Sequence, residues 1–256
     1  MNKIAQAFQK GKAFVAFLTG GDPDMETTEA LIPVMEAAGA DIIEIGIPFS
    51  DPIAEGPVIQ AASARALAAG CTVDRLFEMA ARLRGTVTVP LLFMTYANPI
   101  FAYGTERFME RCRACGIDGI IVPDVPFEER GEFRDACRTY GIAQISLLAP
   151  TSEARAAEIA RESEGFLYCV SSLGVTGVRA ELRDDIADII RIARGVTDTP
   201  CAIGFGIATP EQAAHMAKSA DGVIVGSAIV RIIEAHGRDS AGPVRDYVKS
   251  IKDAIR

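Results

Sequence analysis

Tryptophan is missing from this chain altogether, histidine occurs twice, and lysine is confined to the two ends. Each scarcity excludes a class of chemistry. Lysines stand only at 3, 10, 12, 218, 249 and 252, so none lies between Ala13 and Ala217. A Schiff-base mechanism needs an amine in the site, and a Walker-type loop needs Gly-Lys followed by Ser or Thr. Neither can be assembled from the central stretch, and an enzyme that anchors pyridoxal phosphate on lysine is disfavoured on the same ground. His215 and His236 fall in separate helical patterns without metal-ligand neighbours, and Cys112-x-x-Cys115 has no second pair. A structural zinc site usually takes four such ligands, so these read as ordinary core or surface residues. Several of the six cysteines sit inside apolar helical or strand patterns, and together they do not form the framework of a disulfide-stapled fold. Basic charge is short as well: the net charge is −8, which excludes the positive face that phosphate neutralisation needs in a nucleic-acid binder. No apolar run approaches the ~18 residues of a membrane span. The N-terminal segment carries Ile4 and Phe8 as a short apolar stripe and reads as an amphipathic helix, not a signal peptide. A cytoplasmic protein is expected.

What is present is an ordinary globular composition, 49% hydrophobic and 23% charged over 256 residues, with no linker or low-complexity tract. One domain spanning 1–256 is the economical expectation. Short runs rich in Val, Ile, Leu and Phe recur at Ala13–Leu18, Asp41–Gly46, Pro90–Tyr96, Gly119–Val122, Gln144–Leu148, Phe166–Val170, Pro200–Gly204 and Gly222–Val225. Near-continuous apolar runs are the mark of parallel strands covered on both faces. Amphipathic segments lie between them, among them Pro57 to Ala69, Val73 to Leu83, Thr105 to Cys115, Ser152 to Glu162 and Pro210 to Ala220. Thr209-Pro210-Glu211 supplies an N-cap, a proline at N1 and an acid behind it. Eight strand–helix units in this length predict an α/β fold, a single (β/α)8 TIM barrel with extra N-terminal and loop helices. An open doubly wound sheet is the alternative, but Gly204-Phe205-Gly206 is followed by Thr209 where a dinucleotide fingerprint has its third glycine.

Barrel chemistry sits at the carboxyl ends of the strands. Glu44 interrupts the apolar run of strand 2, and a carboxyl there must be paired or used through a raised pKa. The second alternative makes it a catalytic acid or base. The loop that follows, residues 47–57, holds three prolines and the acids Asp51 and Glu55, each of which taken alone fits a cap or solvated turn. Gly204-Phe205-Gly206 after strand 7 and Gly226-Ser227 after strand 8, the latter opening a helix, form the backbone cradle with which barrels hold a phosphate. Residues 171–179 are glycine-punctuated and suit either a plain connection or a lid.

Seven motifs then occur in order: GDP at 21–23, E-x-G-x-P-F-S-D-P at 44–52 with G-P-x-I-Q at 56–60, Y-x-N-P at 96–99, D-V-P at 124–126, G-V-T-G at 174–177, G-F-G-I at 204–207 and G-S-A-I-V at 226–230. Together they closely resemble the tryptophan synthase alpha chain family, from about residue 4 to the C-terminus. The resemblance implies a lyase that cleaves indole-3-glycerol phosphate to indole and glyceraldehyde 3-phosphate without a cofactor in this chain. It implies Glu44 as the general acid/base and Glu55 as the carboxylate that receives the indole N–H. It further implies Gly177, Phe205, Gly206, Gly226 and Ser227 around the phosphate, Tyr168 in the indole pocket, and Thr176 on a lid. Phe17, Met94 and Ile121 are the other apolar pocket candidates. The implied partner is a pyridoxal-phosphate beta chain in an alpha2-beta2 heterotetramer, contacted through Asp51, Pro52 and the 96–103 loop. The family normally has Asp where this chain has Glu55, a change of about one bond length in carboxylate position. That departure leaves room for a catalytically impaired barrel that mainly activates a beta chain; a stand-alone lyase releasing free indole is another variant. From fold alone, a phosphosugar epimerase or isomerase is the fallback.

Overall fold

The computed structural model describes residues 3–170, 183–204 and 206–256. Thr176, Gly177 and Phe205 lie outside these. Among the described residues nine strands, all parallel, follow the order β5-β4-β3-β2-β1-β9-β8-β7-β6 in a nearly closed barrel. The strands are β1 Ala13–Thr19, β2 Ile42–Gly46, β3 Leu91–Met94, β4 Gly119–Ile121, β5 Ala143–Gln144, β6 Ser146–Leu148, β7 Leu167–Val170, β8 Cys201–Gly204 and β9 Gly222–Val225.

The sequence predicted eight strands, and the difference lies at the fifth. Residues 143–148 change partners midway: Ala143 and Gln144 pair with β4, whereas Ser146 to Leu148 pair with β7. Ile145 stands between the two ladders, and its N–H bonds the Ile120 carbonyl at 2.9 Å. One six-residue segment therefore supplies both margins of the sheet.

Two apolar layers follow from the alternation of side chains along each strand. Val15, Phe17, Ile42, Leu92, Met94, Ile121, Ile145 and Tyr168 share the cluster inside the barrel. Phe14, Ala16, Leu18, Ile43, Ile45 and Phe93 belong to the layer beneath the surrounding helices. A short N-terminal helix, α1 (Lys3–Ala7), closes the amino end: Ile4 is fully buried and touches the inner cluster, and the Phe8 ring lies 5.6 Å from Phe166. Helix α2 (Met25–Ala37) covers β1 and β2, and both helices expected after strand 2 are present as α3 (Pro57–Ala68) and α4 (Val73–Leu83).

Residues 96–103 are not a plain loop. Ala97–Tyr103 form a short helix, α5, ahead of α6 (Thr105–Cys115). Asn98-Pro99 disguised it, because proline is a breaker in most readings but is tolerated in a first helical turn. The strand before it also ends earlier than expected, at Met94. The remaining helices are α7 (Gly131–Tyr140), α8 (Glu153–Arg161), α9 (Arg183–Arg194), α10 (Pro210–Met216), α11 (Ser227–His236) and α12 (Ala241–Ala254). Thr209 caps α10 in a reciprocal capping box with Gln212. That helix stops at Met216, short of the predicted Ala220, because Lys218 and Ser219 turn back onto the carbonyls three residues before them.

Candidate active site

Alternation in β2 puts Ile43 and Ile45 into the helix-facing layer and leaves Glu44 pointing the other way, into the barrel. Its neighbours in register are Phe17 on β1 and Leu92 on β3, both members of the inner cluster. Glu44 is 0% exposed, and among the described residues neither carboxyl oxygen has a hydrogen-bond partner. A structural glutamate held by an arginine or by backbone amides is thus ruled out within that set. Burial raises its pKa to about 8, with the charge of Glu55 adding in the same direction. At neutral pH the carboxyl holds its proton, as a general acid must.

Glu55 is brought to the same mouth by the loop after β2. The Ala54 N–H donates to the Tyr96 hydroxyl at 3.1 Å, and the Gln60 side-chain amide donates to the Glu55 carbonyl at 2.8 Å. These bonds fix the backbone on either side of the carboxyl group. Burial raises Glu55 to about 7. Tyr96 is itself buried, its ring 5.3 Å from Phe49, and burial lifts its hydroxyl to about 12. Helix α5 begins immediately after it, and the Asp124 carboxylate accepts the Ala97 N–H at 3.0 and 3.2 Å. The 96–99 and 124–126 motifs therefore meet as one support under the Glu55 loop. The sequence reading used both as family motifs and gave the 96–103 segment to a partner contact, but assigned neither a role in holding Glu55. Asp51 is exposed and accepts a bond from Ser50, and Pro52 is partly exposed beside it.

Phe17, Met94, Ile121 and Tyr168 are all buried and all belong to the inner cluster, as a pocket for a flat apolar ring requires. Three glycines make room for the two aromatic rings. A Cβ at Gly46 would lie 2.7 Å from the Phe17 ring, and one at Gly226 would lie 3.0 Å from it. At Gly204 it would lie 2.6 Å from the Tyr168 ring. The glycines of E-x-G, G-F-G and G-S are thus needed partly as empty space, a role that turn chemistry alone does not suggest. Gly204→Ala should push Tyr168 into the pocket and raise KM for an aromatic substrate by about tenfold, on the order of 1 kcal/mol of overpacking. Steady-state kinetics checks this, and an unchanged KM would show that the ring does not bound the site.

At the opposite rim Gly226 is the N-cap of α11 and carries no side chain to bond the first-turn amides, and Ser227 is exposed beside it. Those amides and the helix dipole suit an anion. Gly206 turns the chain through φ +74° after β8. Gly206, Gly226 and Ser227 therefore lie on the loops after β8 and β9, at the carboxyl end of the barrel that also bears the Glu55 loop. Cys112 and Cys115 are buried free thiols on α6. Among the described residues no group of three or more His, Cys, Asp or Glu is arranged to hold a metal ion.

The site thus has a protonated buried acid, a second carboxyl, a buried cluster of aromatic and aliphatic side chains and an uncapped helix end, all at one end of a parallel barrel. Comparison with known proteins gives the same answer for the whole length. The family model described as tryptophan synthase alpha chain matches residues 4–255. A tryptophan synthase alpha chain of Lactiplantibacillus plantarum is 46% identical over 256 residues, covering 100% of this chain and 97% of its own. One from Citrifermentans bemidjiense is 45% identical, with 100% and 98% covered. Among solved structures, tryptophan synthase subunit alpha of Legionella pneumophila superposes with a TM-score of 0.90 at 37% identity, covering 100% of this chain and 98% of that one. Agreement of motif order, barrel and site geometry leaves one assignment: the chain belongs to the tryptophan synthase alpha chain family.

Proposed function

We propose that this protein cleaves indole-3-glycerol phosphate to indole and glyceraldehyde 3-phosphate as the alpha subunit of tryptophan synthase, in tryptophan biosynthesis. The observation that carries the reading is Glu44, a carboxyl without hydrogen-bond partners among the described residues, inside an aromatic-floored barrel. In the proposed reaction it gives its proton to C3 of the indole ring, leaving an electron-poor indolenine. The resulting carboxylate then takes the proton of the glycerol hydroxyl. The bond between C3 and the side chain breaks, its electron pair returns to the ring, and an aldehyde departs. Glu44 ends protonated, ready for another cycle. Glu55, as carboxylate, receives the indole N–H and stabilises the positive charge that develops on the ring. Gly206, Gly226 and Ser227 hold the phosphate; the family resemblance adds Gly177 and Phe205 to that role and Thr176 to a lid, all three outside the described residues. Phe17, Met94, Ile121 and Tyr168 hold the ring. No cofactor is assigned to this chain.

The partner in this reading is a pyridoxal-phosphate beta chain, in an alpha2-beta2 heterotetramer. A solved structure with a TM-score of 0.89 and 28% identity is a Mycobacterium tuberculosis tryptophan synthase in its aminoacrylate-bound form. Ile53 is 79% exposed on the Glu55 loop beside Asp51 and Pro52, and Phe101 is 49% exposed on α5. Apolar side chains left in water on the two segments that hold Glu55 favour docking there, which would let a partner act on the catalytic loop directly. Among the described residues no helix is long and apolar enough to cross a membrane, and the reading places the enzyme in the cytoplasm.

Indole release from indole-3-glycerol phosphate, with and without a matching beta chain, tests the proposal. Slow turnover alone and a large rise with the partner are expected. No indole under either condition would overturn it. Glu55→Gln is expected to lower kcat by about 10- to 100-fold and to abolish the loss of activity that the parent shows as pH falls below about 7. A Gln variant with the parent's rate and profile would remove Glu55 from the mechanism.

A further inference from the structure

Arg65 lies about two turns into α3, the helix that starts directly after Glu55 and Gly56. Its guanidinium grips Asp22 as a fork, Nε to Oδ1 at 2.8 Å and Nη2 to Oδ2 at 2.9 Å. The remaining arm, Nη1, reaches Glu234 Oε1 at 2.8 Å. Asp22 is 1% exposed in the turn that leaves β1, where the Gly21 N–H bonds the Thr28 hydroxyl at 2.9 Å. Glu234 stands on α11, the helix whose uncapped start faces the phosphate end of the site. One side chain therefore ties three elements together: the exit of the Phe17 strand, the helix anchored behind Glu55, and the helix of the phosphate cradle.

A planar fork held by a buried carboxylate has one geometry, unlike the point charge of a lysine. We propose that Arg65, locked by Asp22, is a positioning residue that sets the distance between the Glu55 carboxylate and the phosphate cradle. A substrate carrying an indole ring at one end and a phosphate at the other must satisfy both ends at once. An error of about 1 Å in that span costs about 100-fold in rate, although neither end need bind its own fragment less well. The inference rests on the substrate proposed above, since only a two-ended ligand senses the span.

The test compares Arg65→Lys and Asp22→Asn with the parent protein. Arg82→Met serves as control; Arg82 pairs with Glu29 between α4 and α2, away from the site. Each protein is assayed for indole release from indole-3-glycerol phosphate, and for binding of indole alone and of glycerol 3-phosphate alone. The clamp variants are expected to lose about 10- to 100-fold in kcat/KM while each fragment binds within about twofold of the parent. Arg82→Met should match the parent in all three measurements. Fragment binding that weakens in step with turnover would show general loosening and overturn the positioning role, as would clamp variants with parental kcat/KM. If Asp22→Asn does not fold, the charge-preserving Arg65→Lys decides the matter by the same readouts. Failure of the parent to cleave the substrate at all would sink the proposed function instead, so the two outcomes are distinct.

Discussion

Glu44→Gln is expected to lower kcat for indole release by at least about 10³-fold while KM stays within about threefold. The amide fills nearly the same volume, so the ring pocket formed by Phe17, Met94, Ile121 and Tyr168 is retained. What disappears is a group that can give a proton and take one back. Among the described residues Tyr168 is a hydroxyl whose titration feels the charge of Glu44, and it is a poor substitute. Burial first, and the charge of Glu44 second, hold its pKa well above the ordinary phenol value. A proton that tightly held is not delivered to a ring carbon at neutral pH. Glu44→Asp should also be slow, by about 10- to 100-fold, because the shortened side chain withdraws the carboxyl from its reacting atom. Steady-state release of indole checks both. A glutamine variant that keeps a tenth of the parental rate would move the acid/base elsewhere.

The same carboxyl should make the fold less stable as pH rises. Glu44 titrates near 4.5 in the unfolded chain and at about 8 in the folded protein. Between these values the folded state holds a proton that the unfolded state has released, so unfolding becomes easier with every step toward alkaline pH. The stabilisation is complete below the unfolded pKa and is lost as pH climbs through the folded one. From about pH 5 to pH 8 the expected loss is on the order of 4 kcal/mol, a large share of a typical domain's stability. Glu55, with its pKa raised to about 7, adds to the decline in the same direction. Urea unfolding of the parent and of Glu44→Gln at about pH 5, 6.5 and 8 measures the effect. The glutamine variant should show a distinctly flatter slope. Parallel slopes would mean that Glu44 is solvated in the working protein and that its burial does not set its titration.

The barrel was legible because its strands are written as uninterrupted apolar runs, and a run such as Ile42-Ile43-Glu44-Ile45 makes its one acid conspicuous. Glu44 could be singled out without any structure, since burying an unpaired carboxyl is costly wherever it happens. The division at Ile145 was not legible. Residues 143–148 have the composition of one strand, and only the positions of β4 and β7 decide where the pairing changes sides. Helix α5 was missed for a local reason, proline standing inside its first turn. The support under Glu55 was hidden for another: Tyr96 and Ala54, or Asp124 and Ala97, are brought together by the ends of different strands, and nothing in their spacing announces a bond. Gly46 was read as the end of a strand and Gly204 and Gly226 as parts of a phosphate cradle, yet their lack of a side chain also serves Phe17 and Tyr168, which are remote in sequence. Asp22 and Arg65 were visible as a motif residue and a helix residue but not as a pair.

The aromatic floor of the pocket also makes the protein optically quiet. Its rings are phenylalanine and tyrosine, and the whole chain contains five tyrosines and no tryptophan. Light absorbed beyond the red edge of tyrosine therefore excites no residue of this chain, and any indole emission from a sample comes from the ligand. Binding of an indole compound against Phe17 and Tyr168 can be followed directly through the colour and polarisation of that emission, with no label attached. Few proteins offer an intrinsic fluorophore that is the bound molecule itself, and here the absence noted in the sequence and the shape of the barrel's interior combine to provide one.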